Sequence, residues 1–247
     1  MRTLLAVAAI LGFLAVARPA PAATVDGINV HWTSAGNGSK AVIFVHGWTC
    51  DETSWQGQVP AISRTYRVIT LDLPGHGKSG SPKDGKFSMD LFARAVEAVR
   101  SEANIEKAVL VGHSMGTPVI RQYALMYPRR VAALVLVDGL VQVAGPARMP
   151  GSGGTGRGAA TPPMTGAEGM KARENMIRGM FGPATSPELQ KQILQMMMGT
   201  KEATAAGAMA ATWDQSGWKN DVMSVPVLGI YAEKSGLANR EGMRRLY

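Results

Sequence analysis

Gly112, His113, Ser114, Met115 and Gly116 carry the pattern G-x-S-x-G, which suits one kind of chemistry. A serine hydroxyl is a weak nucleophile until a base takes its proton and donors receive the charge that builds on the attacked carbonyl oxygen. It must also stand clear of its own backbone. The required turn is so tight that side chains two positions either side of the serine would collide, and glycine at 112 and 116 removes them. In a chain with 29 glycines such a match can arise by chance. The flanks decide: residues 108–111 form an apolar run suited to a buried strand, and residues 117–127 have helical spacing, so strand, turn and helix follow in order. Ser114 is therefore expected to be the nucleophile of an acyl transfer.

The negative oxygen needs two donors, usually backbone N–H groups held in place beforehand. Met115, directly after the serine, supplies one candidate. The second is expected from the loop after residues 42–45, where His46, Gly47 and Trp48 stand, and the Trp48 N–H is the candidate. The Trp48 side chain either lines an acyl pocket or packs. His46 reads as a loop histidine with a structural role. His31, His46, His76, His113 and Cys50 show no metal-ligand spacing, so neither a metal nor a cofactor is expected.

The elements that hold these residues follow from apolar runs and their punctuation. Residues 42–45, 66–73, 108–111, 131–137 and 225–231 are short runs suited to strands buried on both faces. Residues 89–99 and 117–127 alternate with them as helices, which implies a parallel sheet covered on both sides. Residues 28–33 read as a further strand that could form an antiparallel edge with residues 42–45 across a turn at 35–38. After Leu140 the pattern breaks: residues 146–163 are rich in Gly, Pro and Ala, and helical segments at 167–180, 187–198 and 201–213 come before the next strand. An insertion there would sit over the strand ends as a cap. Its nine methionines between Met149 and Met209 suit either an adaptable pocket or plain core packing.

Taken in order, HG-x at 46, LDLPGHGKS at 71–79, GHSMG at 112–116 and LVLVD at 134–138 resemble the α/β-hydrolase family from about Val25 to the C-terminus. The resemblance implies an α/β fold with an eight-stranded, mostly parallel sheet, a helical cap after strand six, and a Ser, acid, His triad in that chain order. It places His76 in a structural turn after strand four and His113 at the variable position beside the nucleophile. The acid is expected after strand six or strand seven. Asp138 ends strand six, whereas at the end of strand seven Ser235 takes the usual acid position and leaves Glu233 as the alternative; Asp138 is favoured. The family's histidine follows strand eight, yet no histidine occurs after His113. The chain thus reads as truncated at Tyr247, with the last strand and helix missing, and is expected to be poorly active, marginally stable and exposed at an apolar sheet edge.

The 247 residues, 46% hydrophobic and 18% charged, suit one globular domain with a real core. Arg2, the apolar run 4–16 and the small residues up to Ala23 form a signal-peptide pattern, too short for a membrane span. The expected organisation is a signal peptide at 1–23, core at 24–140, cap at 141–222 and continued core at 223–247. Export to a bacterial periplasm or medium is expected, with no stable membrane insertion. A net charge of +8 is basic, but the cations are scattered and not interleaved with aromatic residues, so nucleic-acid binding is not expected. The single Cys50 rules out an internal disulfide framework. The expected partner is a small molecule, a carboxylic ester first of all. Carbon–carbon bond hydrolysis, aminopeptidase and cofactor-free haloperoxidase chemistry, or a non-catalytic binding role, remain alternatives.

Overall fold

A computed structural model describes residues 22–141, 165–214, 216, 220–233, 235, 237 and 240–247. The apolar run at 4–16, expected to belong to a signal peptide, and the Gly-rich stretch at 146–163 lie outside the described residues. Five strands run parallel: β3 (Ala41–Val45), β4 (Arg67–Leu71), β5 (Ala108–His113), β6 (Val131–Val137) and β7 (Val227–Ile230). With β1 (Ala22–Val25) and β2 (Ile28–Ala35) they form a seven-stranded sheet in the order β1-β2-β4-β3-β5-β6-β7. The unbroken apolar runs have a simple cause. Ala41, Ile43 and Val45 face one core while Val42 and Phe44 face the other, so β3 has no solvent side on which to place polar residues.

The N-terminal hairpin corrects one expectation, the partner of β2. Residues 22–25, placed at the signal-peptide boundary from sequence, form strand β1, paired with β2 through Asp26 and Gly27. Both turn residues have positive φ, 49° and 75°, the geometry that an Asp-Gly pair favours in two-residue hairpins. β2 is antiparallel as expected, but its partner is β4 and not β3. β3 has no free edge, because β4 and β5 occupy both sides. The connection from β2 to β3 therefore skips a strand, pressed against the turn before β4, where a side chain at Gly36 would meet the Ser63 and Tyr66 carbonyls.

Helices cover the faces. α1 (Val59–Ile62) and the 3₁₀ turn Glu52–Trp55 lie on one side, and α2 (Met89–Glu102), α3 (Gly116–Met126) and α7 (Arg240–Leu246) complete the body. α2 begins where the Ser88 side chain accepts from the Leu91 N–H, and it buries Leu91, Phe92, Ala95, Val96 and Val99 at its apolar spacing. Coverage is weakest on β7, where Leu228 and Ile230 are 56% and 50% exposed.

Between β6 and β7 in the chain stand α4 (Gly166–Arg178), α5 (Pro187–Gly199) and α6 (Glu202–Trp213). They belong to the same packed unit as the sheet: Ile177, Met197, Ala205 and Ala208 are buried in the main core, and Met176, Met196, Met198 and Met209 pack against it. These cap methionines are thus packing residues. The Arg173 guanidinium is fully buried and donates to the Met198 carbonyl at 2.5 Å, where the last turn of α5 offers unpaired oxygens and negative dipole charge. Among the described residues no helix is long and apolar enough to cross a membrane.

Candidate active site

Because β3 to β7 are parallel and in register, the residues that follow them gather on one edge of the sheet. Val45 pairs with Gly112, Gly112 with Leu136, and Val137 with Ile230, so His46, Ser114, Asp138 and Tyr231 leave the strands side by side. After β3 the chain turns outward to β4, and then returns across β3 to β5. Such reversals open a crevice at the strand ends, and here its two walls are the loop after β3 and the turn after β5.

Ser114 occupies that turn with φ at 50°, the left-handed region that side chains other than glycine avoid, and this costs on the order of 1–3 kcal/mol. Its N–H donates to the Val137 carbonyl at 3.1 Å and its carbonyl accepts from the Thr117 N–H at 3.0 Å. These bonds hold the strained conformation. The glycines do what the motif requires: a Cβ on Gly112 would lie 2.5 Å from the Gly116 carbonyl oxygen, and one on Gly116 would meet the Val45 oxygen and lie 2.9 Å from that of His46. Ser114 itself stays half-buried. α3 begins at Gly116 without a side-chain cap, so its first N–H groups and positive dipole end stand beside the serine.

The opposite wall is the loop 46–49. Here His46 has a definite task. Its Nε2 accepts from the Leu73 N–H at 2.9 Å, so the proton is on Nδ1, which donates to the Gly47 carbonyl at 2.8 Å. The Cys50 N–H donates to the same oxygen at 3.2 Å. In a trans peptide the C=O and N–H point oppositely. Fixing the Gly47 oxygen therefore turns the Trp48 N–H the other way, and no turn, loop or cap hydrogen bond of the described residues uses the N–H of Trp48 or of Met115. Gly47 also lets the walls meet: a Cβ there would lie 3.3 Å from the Ser114 Cβ and 3.0 Å from His113 Nδ1.

Of the two expected acids, Asp138 reaches the sheet edge and Glu233 lies exposed on the turn after β7. Asp138 has φ at 41°, and its N–H donates to the Ile230 carbonyl at 2.7 Å. Its Oδ1 is buried and has no hydrogen-bond donor among the described residues. A carboxylate oxygen in that position calls for one. None of the four histidines supplies it. His31 pairs with Glu52, His46 and His76 bind backbone groups, and His113, half-buried against Trp55, lies close enough to Asp138 to feel its charge without a hydrogen bond between them.

His46 and His76 are fully buried, and both must stay neutral in the fold. Burial pushes His76 down to about 3, helped by the nearby His46, and burial likewise holds His46 below its ordinary value. In the unfolded chain such groups titrate near about 6.5. Below that pH the unfolded state binds protons that the native state refuses, so stability falls as the pH falls, by about 1.4 kcal/mol per unit for each group down to its folded pKa. His76 alone is expected to lower stability by roughly 2 kcal/mol between about pH 7.5 and about pH 5. Urea unfolding at the two pH values measures this, and equal midpoints would refute it.

His31, Glu52 and Asp72 also come together, with donor atoms within 4.8 Å, although their spacing in sequence shows nothing of it. Lys78 Nζ already lies 3.2 Å from Glu52 Oε1, while Glu52 Oε2 accepts from Thr33 and Thr70, and Asp72 takes the Glu52 and Lys78 N–H groups. The cluster ties the loops after β3 and β4 together through an ammonium and internal hydrogen bonds.

Residues 40–166 match the sequence model of the α/β-hydrolase fold. The chain belongs to that family. A 2-hydroxy-6-oxononadienedioate/2-hydroxy-6-oxononatrienedioate hydrolase of Paraburkholderia phymatum is 33% identical over 170 residues, 67% of this chain and 52% of that protein. The dihydrolipoyllysine-residue acetyltransferase component of the acetoin cleaving system of Cupriavidus necator is 40% identical over 116 residues, 47% of this chain and 31% of that protein. The chain thus spans about half the first relative and about a third of the second. Among solved structures, the esterase RhEst1 of Rhodococcus sp. ECU1013 shares the fold with a TM-score of 0.71 at 24% identity, over 91% of this chain and 84% of that one.

Proposed function

We propose that the protein is a serine hydrolase that acts through an acyl-enzyme on small carboxylic esters. The observation that carries this reading is Ser114 held at φ 50° on a glycine-cleared turn, beside a loop whose Trp48 N–H, like that of Met115, makes no turn, loop or cap hydrogen bond among the described residues. Ser114 Oγ would attack the ester carbonyl, and the Trp48 and Met115 N–H groups would receive the charge on its oxygen. Collapse of the tetrahedral species expels the alcohol and leaves an acyl-serine, which water then hydrolyses. Asp138, with its unpartnered buried oxygen, is the candidate acid that orients a base. That base is not among the histidines described.

A second reading has its own support. The match to the oxononadienedioate hydrolase extends over more of this chain than the match to the acetyltransferase component, which favours a carbon–carbon bond hydrolase built on the same serine. The direct test of the common step is covalent labelling of the complete gene product by an alkyl fluorophosphonate. We expect one adduct, on Ser114, and none on the Ser114→Ala variant. A wild-type protein that takes no label would overturn the hydrolase reading, and turnover of a vinylogous diketone in preference to p-nitrophenyl esters would favour the second substrate class.

A further inference from the structure

The loop that carries the Trp48 N–H is held partly from outside the sheet. Three successive carbonyls each have a donor: Gly47 from His46 and Cys50, Trp48 from the Thr49 hydroxyl at 2.8 Å, and Thr49 from the Thr200 hydroxyl at 3.0 Å. The first two are bonds within the loop. The third carbonyl is bound from the junction between α5 and α6, and one further bond joins α6 to the loop, where the Trp48 indole Nε1 donates to the Ala205 carbonyl at 2.8 Å. Thr49 is fully buried and β-branched, yet its φ is 57°, a conformation that such a residue keeps only when its surroundings impose it.

We propose that Thr200 is a positioning residue for the oxyanion loop, through which the cap holds the Trp48 N–H in its donor orientation. The proposal rests on the assignment of that N–H as an oxyanion donor. Thr200 is 9% exposed, so water does not readily replace its hydroxyl, and without it the Thr49 carbonyl is left buried and unpaired. The strained Thr49 is then free to relax, and the peptide units on either side of it rotate together with the donor. Seating of the cap and completion of the oxyanion site are in this way a single event. A ligand that shifts the α5–α6 junction also shifts the group that stabilises the transition state.

The test uses phosphonylation of Ser114 by a fluorescent alkyl fluorophosphonate, whose P=O oxygen occupies the oxyanion position, with the maximal rate and the reversible binding constant measured separately. Thr200→Val, of similar shape but without the donor, is expected to lower the maximal rate about tenfold with reversible binding within about twofold of wild type, while Thr200→Ser stays within about twofold in both. Trp48→Phe removes the other bond and keeps an aromatic ring. Its effect combined with Thr200→Val is expected to depart from simple multiplication, because the two bonds hold the same loop. Should Thr200→Val fail to fold, Thr200→Ala, which also lacks the donor, takes its place with the same expected loss and with Thr200→Ser as its control. A Thr200→Val protein that labels at the wild-type rate, or a Thr200→Ser protein as slow as the valine variant, would overturn the proposal alone. Absence of label on wild type would overturn the nucleophile assignment and this proposal with it.

Discussion

Ser114→Ala is expected to lower hydrolysis of p-nitrophenyl acetate by the complete gene product on the order of 10⁴-fold or more, because no acyl-enzyme can form and only binding and the oxyanion donors remain. The loss is expected in kcat, since the serine hydroxyl contributes to bond making and little to ground-state binding. Its cause can be separated from unfolding. Residue 114 sits at φ 50° with its N–H and C=O bound to Val137 and Thr117, and none of this involves the hydroxyl. The alanine variant should therefore stay within about 1 kcal/mol of wild type in urea unfolding. Ser114→Gly goes further in the same direction: it is equally inactive, and it should be more stable by up to about 1 kcal/mol, because glycine adopts positive φ without strain. Activity retained by the alanine variant would remove Ser114 from the mechanism.

Gly116→Ala is expected to have the largest effect on stability, at least about 3 kcal/mol, at the upper end of what overpacked core sites lose. A Cβ at this position would press on the carbonyl oxygens of Val45 and His46, which are backbone atoms at the end of the central strand β3 and cannot rotate away like a side chain. Either α3 moves off the sheet or β3 bends. Both movements displace the helix N-terminus from Ser114 and the loop 46–49 from its place, so activity should fall together with stability. For a domain of this size the change corresponds to a melting-temperature drop of roughly 6–12 °C. Thermal unfolding followed by circular dichroism reads it directly, and a drop of less than about 2 °C would show that the contact between α3 and β3 is softer than the geometry implies.

Much of this arrangement was legible in the residues. The parallel core could be read because strands buried on both faces leave unbroken apolar runs, as at 42–45 and 131–137. The helices at 167–180, 187–198 and 201–213 were close to their observed bounds: α4 and α5 carry an apolar face at helical spacing, α5 has a recognisable start at Ser186 before Pro187, and α6 is an alanine-rich run with high helix propensity. The elbow announced itself through two glycines whose lack of a side chain has no substitute. The pairing of β2 was misplaced because an isolated strand shows its own pattern and not which edge is free to receive it, and that depends on β3 being already flanked on both sides.

Residue chemistry and local spacing determined by themselves the serine, the turn that presents it, the fold class and the loop expected to face it. Only the tertiary structure decided how that loop is held. His46 acquires its partners in Leu73 and Gly47, Asp138 lies at the sheet edge while Glu233 is exposed on the turn after β7, and Thr200 meets Thr49 across 151 positions of chain. The physical reason is range. A turn or a helix start is specified by neighbours within a few residues, whereas the partner of a buried carbonyl is chosen by packing between elements that the chain brings together only when it folds.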